Sequence, residues 1–156
     1  MTDLPRDNIV SKSIIVELNQ ARTFQAWTEQ IAAWWPAASH SRSGDSQTQV
    51  FIEGGVGGRF FERTSQGAEL EWGQVLVWEP PHRLVFTWYL GSDPTLPSQV
   101  EVQFVALNEA QTRLDLTHRG PELIGELWWQ RVAIFNGAWD SILAKFTGFL
   151  TADQTD

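Results

Sequence analysis

Residues Gly125–Leu150 read GELWWQRVAIFNGAWDSILAKFTGFL, and the fold turns on how they are read. Trp128, Val132, Phe135, Trp139, Ile142, Leu143, Phe146 and Leu150 recur at steps of three and four, apart from the adjacent Ile142–Leu143. That spacing predicts a helix with one apolar stripe. About 26 residues in α conformation make a rod of ~39 Å. No second helical pattern of comparable length exists in the chain, so the stripe is expected to pack against a sheet. Gly137 falls mid-helix, where glycine costs about 1 kcal/mol relative to Ala. A close approach of helix to sheet, or room for a ligand, would account for it, and so would a tolerated weak spot.

Upstream of Gly125 the period changes to two. Ile9–Leu18 predicts a first strand with Val10, Ile14, Val16 and Leu18 on one face. Asn19 is an N-cap for a short helix over Ala21–Gln30, and Ile31–Trp35 adds a turn that Pro36 ends. A small polar loop, Ala37–Ser46, contains His40. Strands follow over Thr48–Glu53, Gly58–Thr64, Leu70–Trp78 and Arg83–Leu90, with Gly54–Gly58, Gln66–Gly67 and Pro80–Pro81 as turns. The stretch GSDPTLP is a loop. Val100, Val102, Phe104 and Ala106 define the next strand, and Leu114, Leu116 and His118 the last, before Arg119–Gly120–Pro121 breaks the chain. The order is strand, two short helices, six strands, long helix. Short turns between neighbours make the sheet antiparallel. The pattern is that of one α+β domain over residues 1–156, its ordered core spanning about 9–150 and residues 1–8 frayed.

Composition narrows the function classes. The chain has 156 residues, 42% of them hydrophobic, with nine Trp and nine Phe against one Tyr and one Met. Such an aromatic set is rigid and mostly apolar, suited to lining a cavity. The formal net charge of −8 weighs against nucleic acid and anionic membranes as partners. Without Cys there is no disulfide, thiolate nucleophile or Cys-ligated zinc. No signal peptide or bilayer-length apolar run is read, which makes the cytoplasm the expected location.

Motifs for chemistry are sparse. Gly55-x-Gly57 lacks a third glycine and is followed by a strand, so a phosphate loop is not expected. His40, His82 and His118 have no short ligand spacing, and neither a metal nor a cofactor is expected. No Gly-x-Ser-x-Gly is present. What remains are polar residues on faces that otherwise read as interior. Glu62 shares its face with Phe60. Gln74 lies between Trp72 and Leu76 in a row that also takes in Leu70 and Trp78. His118 ends the Leu114–Leu116 row, and Asn136 lies one residue off the helix stripe. Two readings stay open for these groups: a satisfied internal network, or convergent polar groups in an apolar ligand pocket. Trp34–Trp35 and Trp128–Trp129 are adjacent pairs that cannot both point one way. One member of each is left for a cavity mouth or for contact with a second copy in a homodimer.

Several stretches together resemble a known family. They are Ala33–Trp34–Trp35–Pro36 with His40–Ser41, then Val56–Gly57–Gly58–Arg59–Phe60–Phe61–Glu62, then Trp72 through Trp88, and finally Gly137–Ala138–Trp139–Asp140–Ser141–Ile142–Leu143. They are similar to bacterial proteins related to the activator of Hsp90 ATPase, in the START-like (SRPBCC) superfamily. The resemblance implies a helix-grip fold: a curved antiparallel sheet of about seven strands wrapped around the long C-terminal helix, with two short helices between strands 1 and 2. It further implies a cavity between sheet and helix for a hydrophobic or aromatic small molecule, without a cofactor. The residues expected to line it are Trp35, Phe60, Glu62, Trp72, Gln74, Trp88, His118, Phe135 and Trp139. The alternatives are a chaperone-regulating module, or a cyclase or hydrolase using Glu62 and His118.

Overall fold

In the structure, a computed structural model, the stripe read from the sequence is buried: Trp128, Phe135, Trp139, Ile142, Leu143, Phe146 and Leu150 are all in the core, with Val132 packed against it. Residues 9–36, 40, 41, 43, 47–88, 97–120 and 125–153 are described. Most of the expected loops at 37–46 and 91–97, Tyr89–Leu90, Pro121 and the N-terminal eight residues lie outside them.

Strand β1 spans Ile9–Val16, followed by α1 (Gln20–Thr28) and α2 (Ile31–Trp34). Five strands follow: β2 (Gln49–Ile52), β3 (Arg59–Arg63), β4 (Glu69–Glu79), β5 (Arg83–Trp88) and β6 (Ser98–Asn108). They lead into β7 (Gln111–Arg119) and the terminal helix α3 (Glu126–Asp153). All pairings are antiparallel, in the order β1-β7-β6-β5-β4-β3-β2. The sheet is a curled half-barrel, as the helix-grip reading requires. Helices α1 and α2 carry the chain from one edge strand, β1, to the other, β2. Asn19 caps α1 as expected, its side chain accepting from the Arg22 backbone N–H at 2.9 Å. The indole of Trp34 donates to the Ala26 carbonyl at 2.9 Å and ties α2 to α1.

Strand β4 departs from the alternation read in the sequence. Phe60 pairs with Gly73 but Phe61 pairs with Glu71, so Trp72 is an extra residue on β4. Val75 pairs with Phe86 and Val77 with Val85, so Leu76 is a second extra residue. Each bulge shifts the face of every later side chain by one position. Trp72 and Val75 are therefore buried and Trp78 packs on the core, while Gln74 and Leu76 are exposed. Gly73 is where the bulge tightens: a Cβ there would lie 1.8 Å from the Thr87 carbonyl oxygen, so no larger residue fits without moving backbone.

The packing role expected for Gly137 is not found. It is exposed, and an added Cβ would meet nothing within 4 Å. It neither lets the helix approach the sheet nor leaves interior room. Gly137→Ala is thus expected to stabilise the fold by about 0.5–1 kcal/mol, seen as a higher denaturation midpoint. A loss of stability would mean that the helix packs differently there.

Candidate functional site

The inward faces of four strands and the buried face of α3 meet in an aromatic chamber. Phe60 and Glu62 come from β3, Trp72 from β4, Phe86 and Trp88 from β5, and His118 from β7. Phe135 and Trp139 come from α3. Trp35, just past α2, closes the group, with ring centroids 5.4 Å from Trp72, 5.5 Å from Phe60 and 6.1 Å from both Trp88 and Trp139. Trp88 lies 5.1 Å from Trp139 and 5.9 Å from His118, and His118 lies 4.4 Å from Phe135. Every sequence-predicted site residue except Gln74 is brought here. Gln74 is turned outward by the β4 bulge, and Asn136 is exposed on the solvent side of α3. The space expected to be an open cavity is occupied by these rings.

Glu62 is completely buried. Its Oε2 accepts from Ser43 Oγ at 2.6 Å and Thr48 Oγ1 at 2.9 Å, and its Oε1 accepts from Trp72 Nε1 at 2.8 Å. Such donors are what a buried carboxylate needs in place of water.

His118 is equally buried, and its neighbours determine its tautomer. An indole N–H can only donate, so Trp139 Nε1, at 2.9 Å, makes His118 Nδ1 an acceptor. The proton then sits on Nε2, which donates to Ser98 Oγ at 2.6 Å, and the Ser98 hydroxyl donates in turn to the Trp88 carbonyl at 3.2 Å. Burial pushes the imidazole pKa down to about 3, so the ring is neutral at physiological pH. Both ring nitrogens are engaged, and neither contacts Glu62. Glu62 and His118 do not pair with each other; Trp72 and Trp88 lie between them, their centroids 6.2 Å apart.

One donor in the chamber is unsatisfied. The indoles of Trp34, Trp35, Trp72 and Trp139 all have acceptors. Trp88 Nε1 has none, although Trp88 is only 4% exposed. Trp27 Nε1 and Arg131 Nε share that condition elsewhere in the structure. An orphaned buried donor costs about 1–3 kcal/mol, which singles the position out. Sequence reasoning missed Thr48 and Ser98. Both were within reach of it, since Thr48 shares the inward face with Val50, and Ser98 with Val100 and Val102.

Trp35 has a second exposure. Its edge, with α2 and α3, lines a surface groove of about 800 Å³. Its indole N–H is tethered to the His40 carbonyl at 2.7 Å. Among the described residues, no three His, Asp or Glu side chains group as metal ligands, and no helix is long and apolar enough to cross a membrane.

A curled antiparallel sheet gripping one long helix over an aromatic interior defines a helix-grip protein. The family described as Activator of Hsp90 ATPase homolog 1-like protein matches residues 17–151, and the chain belongs to that family. Among solved structures, an anthrahydroquino-gamma-pyrone synthase in complex with SUM is 31% identical over 91% of this chain and 96% of its own, with a TM-score of 0.61. The self-sacrificing resistance protein CalC from Micromonospora echinospora is 24% identical over 96% of this chain and 98% of its own, at TM-score 0.68. An Hsp90 activator from Plasmodium falciparum is 22% identical, covering 73% of this chain and 74% of its own, at TM-score 0.54. The last two carry the likeness of fold alone. Comparison with curated proteins finds no match.

Proposed function

We propose that this protein binds a planar aromatic small molecule bearing a carbonyl-type oxygen, held between the sheet and α3. The observation that carries this reading is the orphaned Trp88 N–H. Every other polar group described in the chamber has its partner within the protein, whereas this one donor waits for an acceptor among faces that suit a flat ring. The ligand takes the place of Trp35, the one chamber ring carried on neither a strand nor α3, and stacks on Trp72, Trp88 and Trp139. The 31% identical structure, named for a fused aromatic pyrone, supports the choice of ligand class.

The geometry favours binding over acid–base catalysis. A base needs a free lone pair, and that of His118 is taken by Trp139. A chaperone-regulating role rests on family membership, and stimulation of Hsp90 ATPase turnover by the purified protein is its test.

Ligand-free protein titrated with xanthone and chromone, followed by Trp fluorescence, should show saturable binding tighter than that of fluorene and naphthalene. Trp88→Phe keeps a ring but removes the donor. It should weaken xanthone binding about tenfold, or 1.4 kcal/mol, and leave fluorene unchanged. Stability should move by no more than about 1 kcal/mol, because the lost volume is offset by removal of an unpaired donor. Absence of saturable binding, or a carbonyl preference that survives in Trp88→Phe, would overturn the proposal.

A further inference from the structure

The groove between α2 and α3 has properties that the chamber lacks. It is open to solvent, has a volume of about 800 Å³, and lies within the size range of small-molecule sites. Its walls include Trp35, Pro36 and Phe149, and its floor is kept low by Ala144 and Gly148. Gly148 is exposed on a helical turn, and a Cβ placed there would meet nothing within 4 Å, so the floor is open space rather than packed backbone.

The charge of the lining is decisive. Lys145 is its one charged residue, and no carboxylate is among the described residues that line it. Of the chain's two lysines, Lys12 pairs with Asp140 at 2.9 Å, whereas Lys145 has no ion-pair partner among the described residues. A cation with no ion-pair partner among the described residues, beside a trough walled by Trp35, Pro36 and Phe149 on a chain of net charge −8, selects for one kind of guest. A neutral apolar molecule would leave the ammonium unused. A polyanion or nucleic acid would be repelled by the rest of the surface.

We infer that this groove is a binding site for an amphipathic organic anion, an aromatic body with a single carboxylate. The rings lie against Trp35, Pro36 and Phe149 above Gly148, and the carboxylate reaches Lys145. A partly exposed ion pair is a modest contribution, so the rings supply most of the affinity and the charge supplies the selectivity. The groove shares Trp35 with the chamber reading, but it needs no ring to move and makes no use of Trp88.

The probes are 2-naphthoate and its neutral analogue 2-naphthamide, titrated by calorimetry with amide NMR shifts locating the site. Wild-type protein should bind the naphthoate about fivefold tighter than the amide, with the gap shrinking at high salt. Lys145→Gln should equalise the two. Gly148→Leu, tolerated on an open helix face, should fill the trough and abolish both, with shifts in wild type centred on Ala144 and Gly148. Equal affinity for the two probes in wild type, or a preference that persists in Lys145→Gln, would overturn the inference. So would binding lost in Trp88→Phe but kept in Gly148→Leu, which places the probe in the chamber. A wild-type dimer that Gly148→Leu dissociates would assign the groove to a second copy instead.

Discussion

Replacing Trp139 by Ala should cost about 3–5 kcal/mol, a large share of the roughly 5–15 kcal/mol that holds a domain of this size together. The residue is 1% exposed at the centre of the helix stripe. Its ring touches those of Trp35, Trp88 and His118, at 6.1, 5.1 and 6.1 Å between centroids. The truncation removes that packing and leaves a void that strand-borne neighbours cannot close. It also strips His118 Nδ1 of its donor. Trp139→Phe separates the two effects, since it keeps most of the ring while losing the hydrogen bond, and should cost about 1–3 kcal/mol. Urea denaturation with an unchanged slope reads both values. An Ala variant that loses less than about 1 kcal/mol would mean that Trp139 is not part of the sheet–helix core.

The stripe that makes this prediction possible was legible because helical periodicity depends only on which residues are apolar. The same holds for β3 and β7, where strict alternation placed Glu62 and His118 indoors beside Phe60 and Leu116. Alternation failed in β4, since a bulge is a property of pairing between strands and leaves no mark on one strand's own pattern. Trp72 stayed inward, but Gln74 and Leu76 changed face, and only Gly73 hinted at the irregularity. Gly137 misled in another way: its place in the middle of the helix suggested close packing, yet its angular position is on the solvent side. The partners of the buried polar groups were hidden for a different reason. Ser43 and Thr48 reach Glu62 from outside β3, and Ser98 reaches His118 from the neighbouring β6. Which polar atoms converge is fixed by three-dimensional proximity. Shared burial put Glu62 and His118 on the same side of the sheet, and shared burial alone does not create contact. The orphaned Trp88 N–H could not be read at all, because a missing partner becomes visible only when all neighbours are in place.

Acidification should destabilise the protein well above the carboxylate range, and His118 should be the largest single cause. Its folded-state pKa is held near 3 by burial, against an ordinary value of 6.5. Below pH 6.5 the unfolded chain takes up a proton that the folded ring refuses, so the unfolded state binds more protons and stability falls as pH falls. The loss continues until the folded pKa is reached, at up to roughly 1.4 kcal/mol per pH unit. Between pH 6.5 and 4.5 it amounts to about 2–3 kcal/mol. His40, whose pKa is also lowered by burial, acts in the same direction. The carboxylates of Glu53 and Glu69 are held low by hydrogen bonds from Arg59 and Arg63, and their contribution is lost only below about pH 4.5. From pH 6.5 down to about 4.5 the histidine effect therefore acts without theirs. His118→Gln isolates that effect: its amide oxygen can accept from Trp139 and its NH₂ can donate to Ser98, but it cannot titrate. Denaturation midpoints measured from pH 7.5 to 4.5 should fall less steeply in the variant, by close to one proton's worth of slope, while the two proteins differ by about 1 kcal/mol or less at pH 7.5. Parallel pH profiles would mean that the imidazole is already free to charge in the folded state. In that case the chain from Trp139 through His118 and Ser98 to the Trp88 carbonyl would not be the one that fixes its tautomer.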